Sequence, residues 1–292
     1  MIENNKKIYT CMNDVMFKTI FSNKENLAFY VNSITNNNFS ASDIDEITNE
    51  IKTSIRSKGV IYDICVGIDN NILVDMEAQN RVDNELALKR RMIHYSSMLY
   101  SRIYNTGSIY KENHRTIVIF LVNDKYEKGK YYEVLQFKDQ DNEVLDIQML
   151  YKINIPLFIK YFKPKTDNDK LLLEGLELLI SDKFEKYNKS ENPNIRRVAS
   201  EIMKLNEDDK ARLSMDIAEA KEIQDKLEKE DIRKEGIKEG IKEGIKEGIK
   251  EGKEEERNNN IKAMYKNGFD ANTISKALNI DINYVKSVLE NS

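Results

Sequence analysis

The sequence predicts an α/β fold with a helical C-terminal extension, and three observations carry that prediction. Two neighbouring runs, Val60 to Ile68 and Ile72 to Gln79, alternate with period two, the pattern of strands whose successive side chains point to opposite faces. The apolar run Ile117-Val118-Ile119-Phe120-Leu121-Val122 reads as a strand buried on both sides. Between these runs, Leu88, Met92, Tyr95, Leu99 and Ile103 recur at three- and four-residue steps, the stripe of a helix packed on a sheet.

In chain order, Asn13 or Asp14 can cap a first helix whose apolar face is Val15, Met16, Phe17, Ile20 and Phe21. A second helix carries Leu27, Phe29, Tyr30, Val31 and Ile34 and stops at Asn36-Asn37-Asn38. A strand near residues 44–55 leads into a hairpin. In its first arm Val60, Tyr62, Ile64, Val66 and Ile68 alternate with Ile61, Asp63, Cys65 and Gly67. The turn Asp69-Asn70-Asn71 has residues that tolerate left-handed backbone. In the second arm Ile72, Val74, Met76 and Ala78 alternate with Leu73, Asp75, Glu77 and Gln79. Asp83 or Asn84 caps the long helix, which runs to about Asn105 and closes at Gly107. After the apolar strand, Tyr131 to Phe137 and Val144 to Leu150 read as two further strands with antiparallel pairing. Pro156 to Asn188 is mostly helical with a break near Pro164, and Asn194 to Lys229 is helical and increasingly charged.

Three segments follow from this reading: a globular domain over residues 1–230, a charged linker helix over 231–257 and a small helical module over 258–292. The linker repeats Lys-Glu-Gly-Ile from Lys234 to Ile249. Four residues advance a helix by about 400°, so the stripe Ile237, Ile241, Ile245, Ile249 drifts by about 40° per copy. Glycine at every fourth position costs roughly 1 kcal/mol each relative to alanine. The repeat reads as a solvated, marginal helix able to self-associate through its Gly/Ile face. In the tail, short amphipathic helices around a turn at Asn279-Ile280-Asp281 have the outline of a helix-turn-helix. The last of them has one lysine, Lys286, and no arginine, which favours packing over groove reading.

Composition narrows the functions. The chain has 292 residues, 40% hydrophobic and 33% charged, with net charge −4 and pI ≈ 5.6. A nucleic-acid partner would need a local basic patch. Two cysteines, Cys11 and Cys65, and two isolated histidines, His94 and His114, argue against a disulfide framework or a zinc centre. No apolar run approaches the roughly 20 residues of a membrane span, and the expected location is the cytoplasm.

Pairing the hairpin arms gathers Asp63, Asp75, Glu77 and Gln79 in one patch, which needs a cation or a proton. Acids on adjacent strands bind a hard divalent ion through oxygen, and magnesium suits one or two carboxylates with waters and a substrate phosphate. Such an ion lowers the pKa of bound water and neutralises charge on a phosphodiester. Asp63 and Glu77 fill the places of the two acids, and Gln79 that of the group beside the second. Asp75 is read as a supporting or solvated acid.

Tyr62-Asp63 followed by Val74-Asp75-Met76-Glu77-Ala78-Gln79 resembles the core of the PD-(D/E)XK nuclease superfamily, an acid on one strand and a (D/E)-X-K triplet on the next. The Glu77-Ala78-Gln79 variant is similar to the branch of recombination-promoting nucleases, or PD-(D/E)XK-type transposases. Asn13-Asp14-Val15-Met16-Phe17-Lys18 resembles that branch's N-terminal motif. Arg91, Tyr95, Tyr100, Gly107 and Tyr110 match its arginine-tyrosine helix with following glycine and tyrosine, and the glycine-punctuated charged repeat recurs there too. The resemblance covers most of residues 10–230.

It implies a restriction-endonuclease-like core, a mixed central sheet flanked by helices, and a magnesium-dependent DNA endonuclease of recombination or mobile elements, with manganese as an alternative ion. Asp63 and Glu77 would be metal ligands, the Ala78 carbonyl a third, and Gln79 would stand where lysine is usual. Glutamine is a neutral donor and acceptor and supplies no positive charge. Asp14 is either an auxiliary acid or a helix cap. Phosphate contacts would fall to Arg56 and Lys58 before the hairpin and to Arg90 and Arg91 on the long helix, making binding salt-sensitive. Lys52 and Lys89 read as ordinary solvated lysines, and Tyr95, Tyr100 and Tyr110 as packing residues. DNA is the expected partner, with a second copy of the chain through the repeat and tail. The alternatives are a catalytically inactive nuclease-fold protein that binds DNA or assembles, and a helical adaptor acting through its tail.

Overall fold

The computed structural model describes residues 7–45, 50–51, 60–69, 71–82, 84–103, 114–124 and 129–290. It divides into two compact units, Met1–Ala220 and Lys221–Ser292. The first holds a five-stranded mixed sheet in the order β3-β4-β5-β7-β6. Its strands are β3 (Ile64–Ile68), β4 (Ile72–Gln79), β5 (Arg115–Val122), β6 (Tyr132–Lys138) and β7 (Val144–Asn154), and β1 (Glu50–Ile51) with β2 (Val60–Ile61) forms a separate ribbon. β3/β4 and β6/β7 are antiparallel hairpins, and β4, β5 and β7 run parallel. Asp69 takes φ 52° at the β3–β4 turn, the left-handed backbone that aspartate tolerates there.

Helices cover both faces of the sheet. α1 (Asp14–Phe21), α2 (Lys24–Thr35), α4 (Ile155–Tyr161), α5 (Asp167–Ile180) and α6 (Pro193–Glu207) close one core with Ile64, Val66, Val74, Met76, Ile117, Ile119 and Ile153. α3 (Glu85–Ile103) closes the other, setting Leu88, Met92 and Leu99 on Cys65, Val118, Phe120 and Leu150. Two-sided burial accounts for the unbroken apolar run of β5, whose residues from Thr116 to Val122 are all buried. Each early helix is capped as its sequence requires. Asn13 accepts from the Val15 and Met16 amides, Asn23 from Glu25, and Asn84 from Ala87. Asp14 is therefore the first helical residue, not the cap.

Three local expectations change. The run Val60–Ile68 is not one strand, because the chain bends at Asp63 between β2 and β3. The Asp63 amide donates to the Glu77 side chain, not to a neighbouring strand, so the ladder stops there. The polar side of β4 does not face water either. α3 lies over it, and Asp75 is fully buried, which removes the solvated reading. The third change concerns β7, which continues past Leu150 to Asn154 because parallel pairing with β5 extends to Val122–Asn154. The strand foreseen near residues 44–55, Lys52, Arg56 and Lys58, and Gly107 with Tyr110, lie wholly or largely outside the described residues.

The C-terminal region is helical. α7 (Asp209–Lys266) includes the whole Lys-Glu-Gly-Ile repeat, and α8 (Ala271–Leu278) and α9 (Ile282–Glu290) follow. Ile261, Ile274 and Val285 form the small core of the tail. No helix among the described residues is long and apolar enough to cross a membrane.

Candidate active site

The site forms where the first hairpin runs out of pairing. Ile64–Met76 is the last pair of β3 and β4, so one step further Asp63 and Glu77 fall opposite each other. They are interlocked through the backbone. The Asp63 amide donates to Glu77 Oε1 at 2.8 Å, and the Ala78 amide donates to Asp63 Oδ2 at 3.0 Å. Each acid thus keeps one oxygen free of these two bonds. Glu77 is 1% exposed and Asp75, two residues earlier on the same face, is 0% exposed.

Two cations flank the pair. From α3, Arg91 donates to Glu77 Oε2 at 3.0 Å, to Gln79 Oε1 at 2.6 Å and to the Tyr95 hydroxyl at 2.9 Å. Its guanidinium also lies over the Tyr95 and Phe120 rings, and such stacking fixes the plane of an arginine. From α1, Lys18 Nζ lies 2.7 Å from Asp14 and 3.7 Å from Asp63 Oδ1. Gln79 is committed at both ends, since its amide nitrogen donates to the Arg81 carbonyl at 2.8 Å. A lysine at position 79 would repel Arg91, whereas glutamine accepts from it.

Burial dominates the acids' protonation. It pushes Glu77 up to about 8, helped by the negative charge of Asp63 and opposed by Arg91. Asp63 is also raised by burial, against the pull of the Ala78 amide and Lys18. Burial also raises Asp75 well above the usual carboxylate range, with Glu77 and Asp63 adding repulsion. The Asp75 oxygens meet no donor from the backbone or from a basic side chain and lie against the Glu77 carboxyl, so burial favours the protonated form.

The residues fit a hard divalent cation. Asp63 and Glu77 offer carboxylate oxygens and Ala78 a carbonyl, while the crowding of acids calls for positive charge. Among the described residues no group of three or more His, Cys, Asp or Glu is placed to hold a metal ion, so the donors here are two carboxylates and a carbonyl. Two carboxylates with waters is the arrangement magnesium accepts.

The structure brings Asp63, Glu77, Ala78, Gln79, Asp75 and Arg91 together, with Asp14 at the edge through Lys18. Arg90 points to solvent on α3. Lys89 is not a free lysine: it pairs with Glu133 at 2.8 Å on the far side of the helix. Tyr95 does more than pack, because its hydroxyl holds Arg91. Lys18 carried no role of its own in the sequence reading. The signal was its spacing of four from Asp14, which puts the pair on one helix face.

A family described as PD-(D/E)XK nuclease family transposase matches residues 11–231. Neither a curated protein nor a solved structure matches significantly.

Proposed function

The chain belongs to the PD-(D/E)XK nuclease family of transposases, and on that footing we propose that it is a magnesium-dependent endonuclease that hydrolyses phosphodiester bonds in DNA. The observation that carries the reading is the interlock of Asp63 and Glu77, each held by an amide beside the other. Asp63 Oδ1 and Glu77 Oε2, the latter shared with Arg91, would hold the ion with the Ala78 carbonyl. A bound ion supplies a water of lowered pKa and neutralises charge growing on the phosphate. Manganese satisfies the same oxygen donors. Arg91 fixes the Glu77 carboxylate, while Gln79 and Tyr95 fix Arg91. α3 and the sheet exclude water from the inner side of the site, where Asp75 is buried.

The test is cleavage of supercoiled plasmid with and without magnesium. Wild type should nick it, and Asp63→Ala and Glu77→Ala should each lose the activity while melting cooperatively. Equal cutting by all three, or none by wild type, would remove the proposal. The second outcome favours the inactive binding protein.

The reading extends to a second copy of the chain. In the repeat of α7, residues four apart form rows inclined by about −26° to the helix axis. At about 100° per residue the four rows encircle the helix, with the Gly and Ile rows adjacent. A parallel two-fold pair sets the Ile row of each helix in the Gly row of the other. Antiparallel pairing sets like rows together. Ile237, Ile241, Ile245 and Ile249 are each more than half exposed, and a Cβ added at Gly236, Gly240, Gly244 or Gly248 meets nothing within 4 Å. Such ridge-in-groove packing crosses at about −50°. A pair of copies would present two active sites to one duplex.

A further inference from the structure

We infer that Lys18 supplies the positive charge that residue 79 lacks, contacting the scissile phosphate as a catalytic cation while Asp14 holds it in position; this rests on the nuclease reading above. Position 79 cannot carry the charge. Gln79 is neutral, and both ends of its amide are occupied by Arg91 and the Arg81 carbonyl. Arg91 is charged, but three of its N–H groups go to Glu77, Gln79 and Tyr95, and its plane is fixed by two rings. It serves the inner acid.

Lys18 differs in each respect. It stands by the other acid, 3.7 Å from Asp63 Oδ1. Its direct partner is Asp14, an exposed residue one turn back on the same helix. Its side chain is 32% exposed and that of Arg91 41%, so both can meet a phosphate entering from solvent, and what separates them is how firmly each is held. An ammonium on a flexible stem can exchange one oxygen partner for another, unlike a stacked guanidinium. An ion pair between exposed groups is worth little, so Asp14 can yield Lys18 to a phosphate oxygen. Lys18 stays protonated throughout and takes part in no bond change. It lowers the cost of charge building on the phosphate oxygens. The position of α1 that permits this is fixed by Met16, Phe17, Ile20 and Phe21 in the core and by Asn80, after β4, donating to the Met12 carbonyl.

The experiment compares full-length wild type, Lys18→Met, Lys18→Arg and Asp63→Ala in two assays. The first is plasmid cleavage with magnesium. The second is metal-free binding of a short duplex by fluorescence anisotropy across a salt series. The inference expects Lys18→Met to cut about 100-fold more slowly, the size of loss typical for removing one preorganised charge-stabilising donor. Lys18→Arg should recover much of that rate. The slope of log affinity on log salt should fall by about 0.9 in Lys18→Met, one phosphate contact, and a merely structural lysine would not move it. Cleavage by Lys18→Met at the wild-type rate, with Asp63→Ala inactive, would overturn the role of Lys18 and leave the nuclease reading standing. A slow Lys18→Met with an unchanged salt slope and no rescue by arginine would also overturn it. Absence of cleavage by wild type would end both.

Discussion

Asp63, Asp75 and Glu77 crowd three acids into one poorly solvated patch, and their protonation sets how the metal-free protein responds to pH. Glu77 is pushed up to about 8 from 4.5 by burial and by Asp63. The folded chain therefore keeps a proton on Glu77 through a range where the unfolded chain has lost it. Where the folded state binds more protons, stability falls as pH rises. The window runs from about 4.5 to about 8, and the raised Asp63 and Asp75 act in the same direction. Thermal melting of metal-free protein should fall across that window. Glu77→Gln should flatten the fall, and magnesium at pH 8 should restore stability, since a ligand that binds the folded state stabilises it. A pH-independent melting temperature would contradict the burial argument. The acids were visible in the sequence as one face of a strand. The seal over Asp75 was not, because alternation shows which residues share a face but not what covers it. The locking of Arg91 by Gln79 and Tyr95 was equally hidden, for it depends on how α3 crosses the sheet.

The elements follow from local patterns wherever two signals agree. α3 had both its stripe and a cap expected at Asp83 or Asn84; Asn84 accepts from Ala87, and the helix runs Glu85–Ile103. β5 had its apolar run, and its burial on both faces places α3 and the larger helical layer on opposite sides. The broken strand at Asp63 escaped the pattern because period two continues through the bend. The break comes from a side chain capturing a backbone amide, which no alternation records. In the repeat, five glycines from Gly236 to Gly252 remain helical, at a cost of roughly 1 kcal/mol each. Gly244→Ala should therefore raise helix stability on circular-dichroism melting. Gly244→Leu fills the row proposed to receive isoleucine, and it should lower the dimer fraction in sedimentation velocity. If the leucine variant sediments as wild type does, the paired-row arrangement is wrong.

At the scale of the whole chain, the mixed sheet between two helical layers fits the restriction-endonuclease-like class expected from the sequence, and the family match over residues 11–231 covers that layer structure. The expected end of the globular part rested on the change from apolar-patterned to charged, repetitive sequence. The compact unit ends at Ala220, a little before the expected residue 230. Met215 is the last residue of its large core. Both sheet cores lie within residues 1–220. A chain ending at residue 220 should therefore unfold cooperatively with a melting temperature close to that of the full chain. A broad, non-cooperative transition would show that the C-terminal region helps hold the fold.

The account depends on Asp63 and Glu77 holding one ion between them. Isothermal titration of magnesium into the full chain tests that directly, with Asp63→Ala and Glu77→Ala beside it at pH 8. It predicts saturable binding by wild type that both variants lose and that weakens as pH falls, because protons compete for the same oxygens. Binding of equal strength in all three proteins would contradict it.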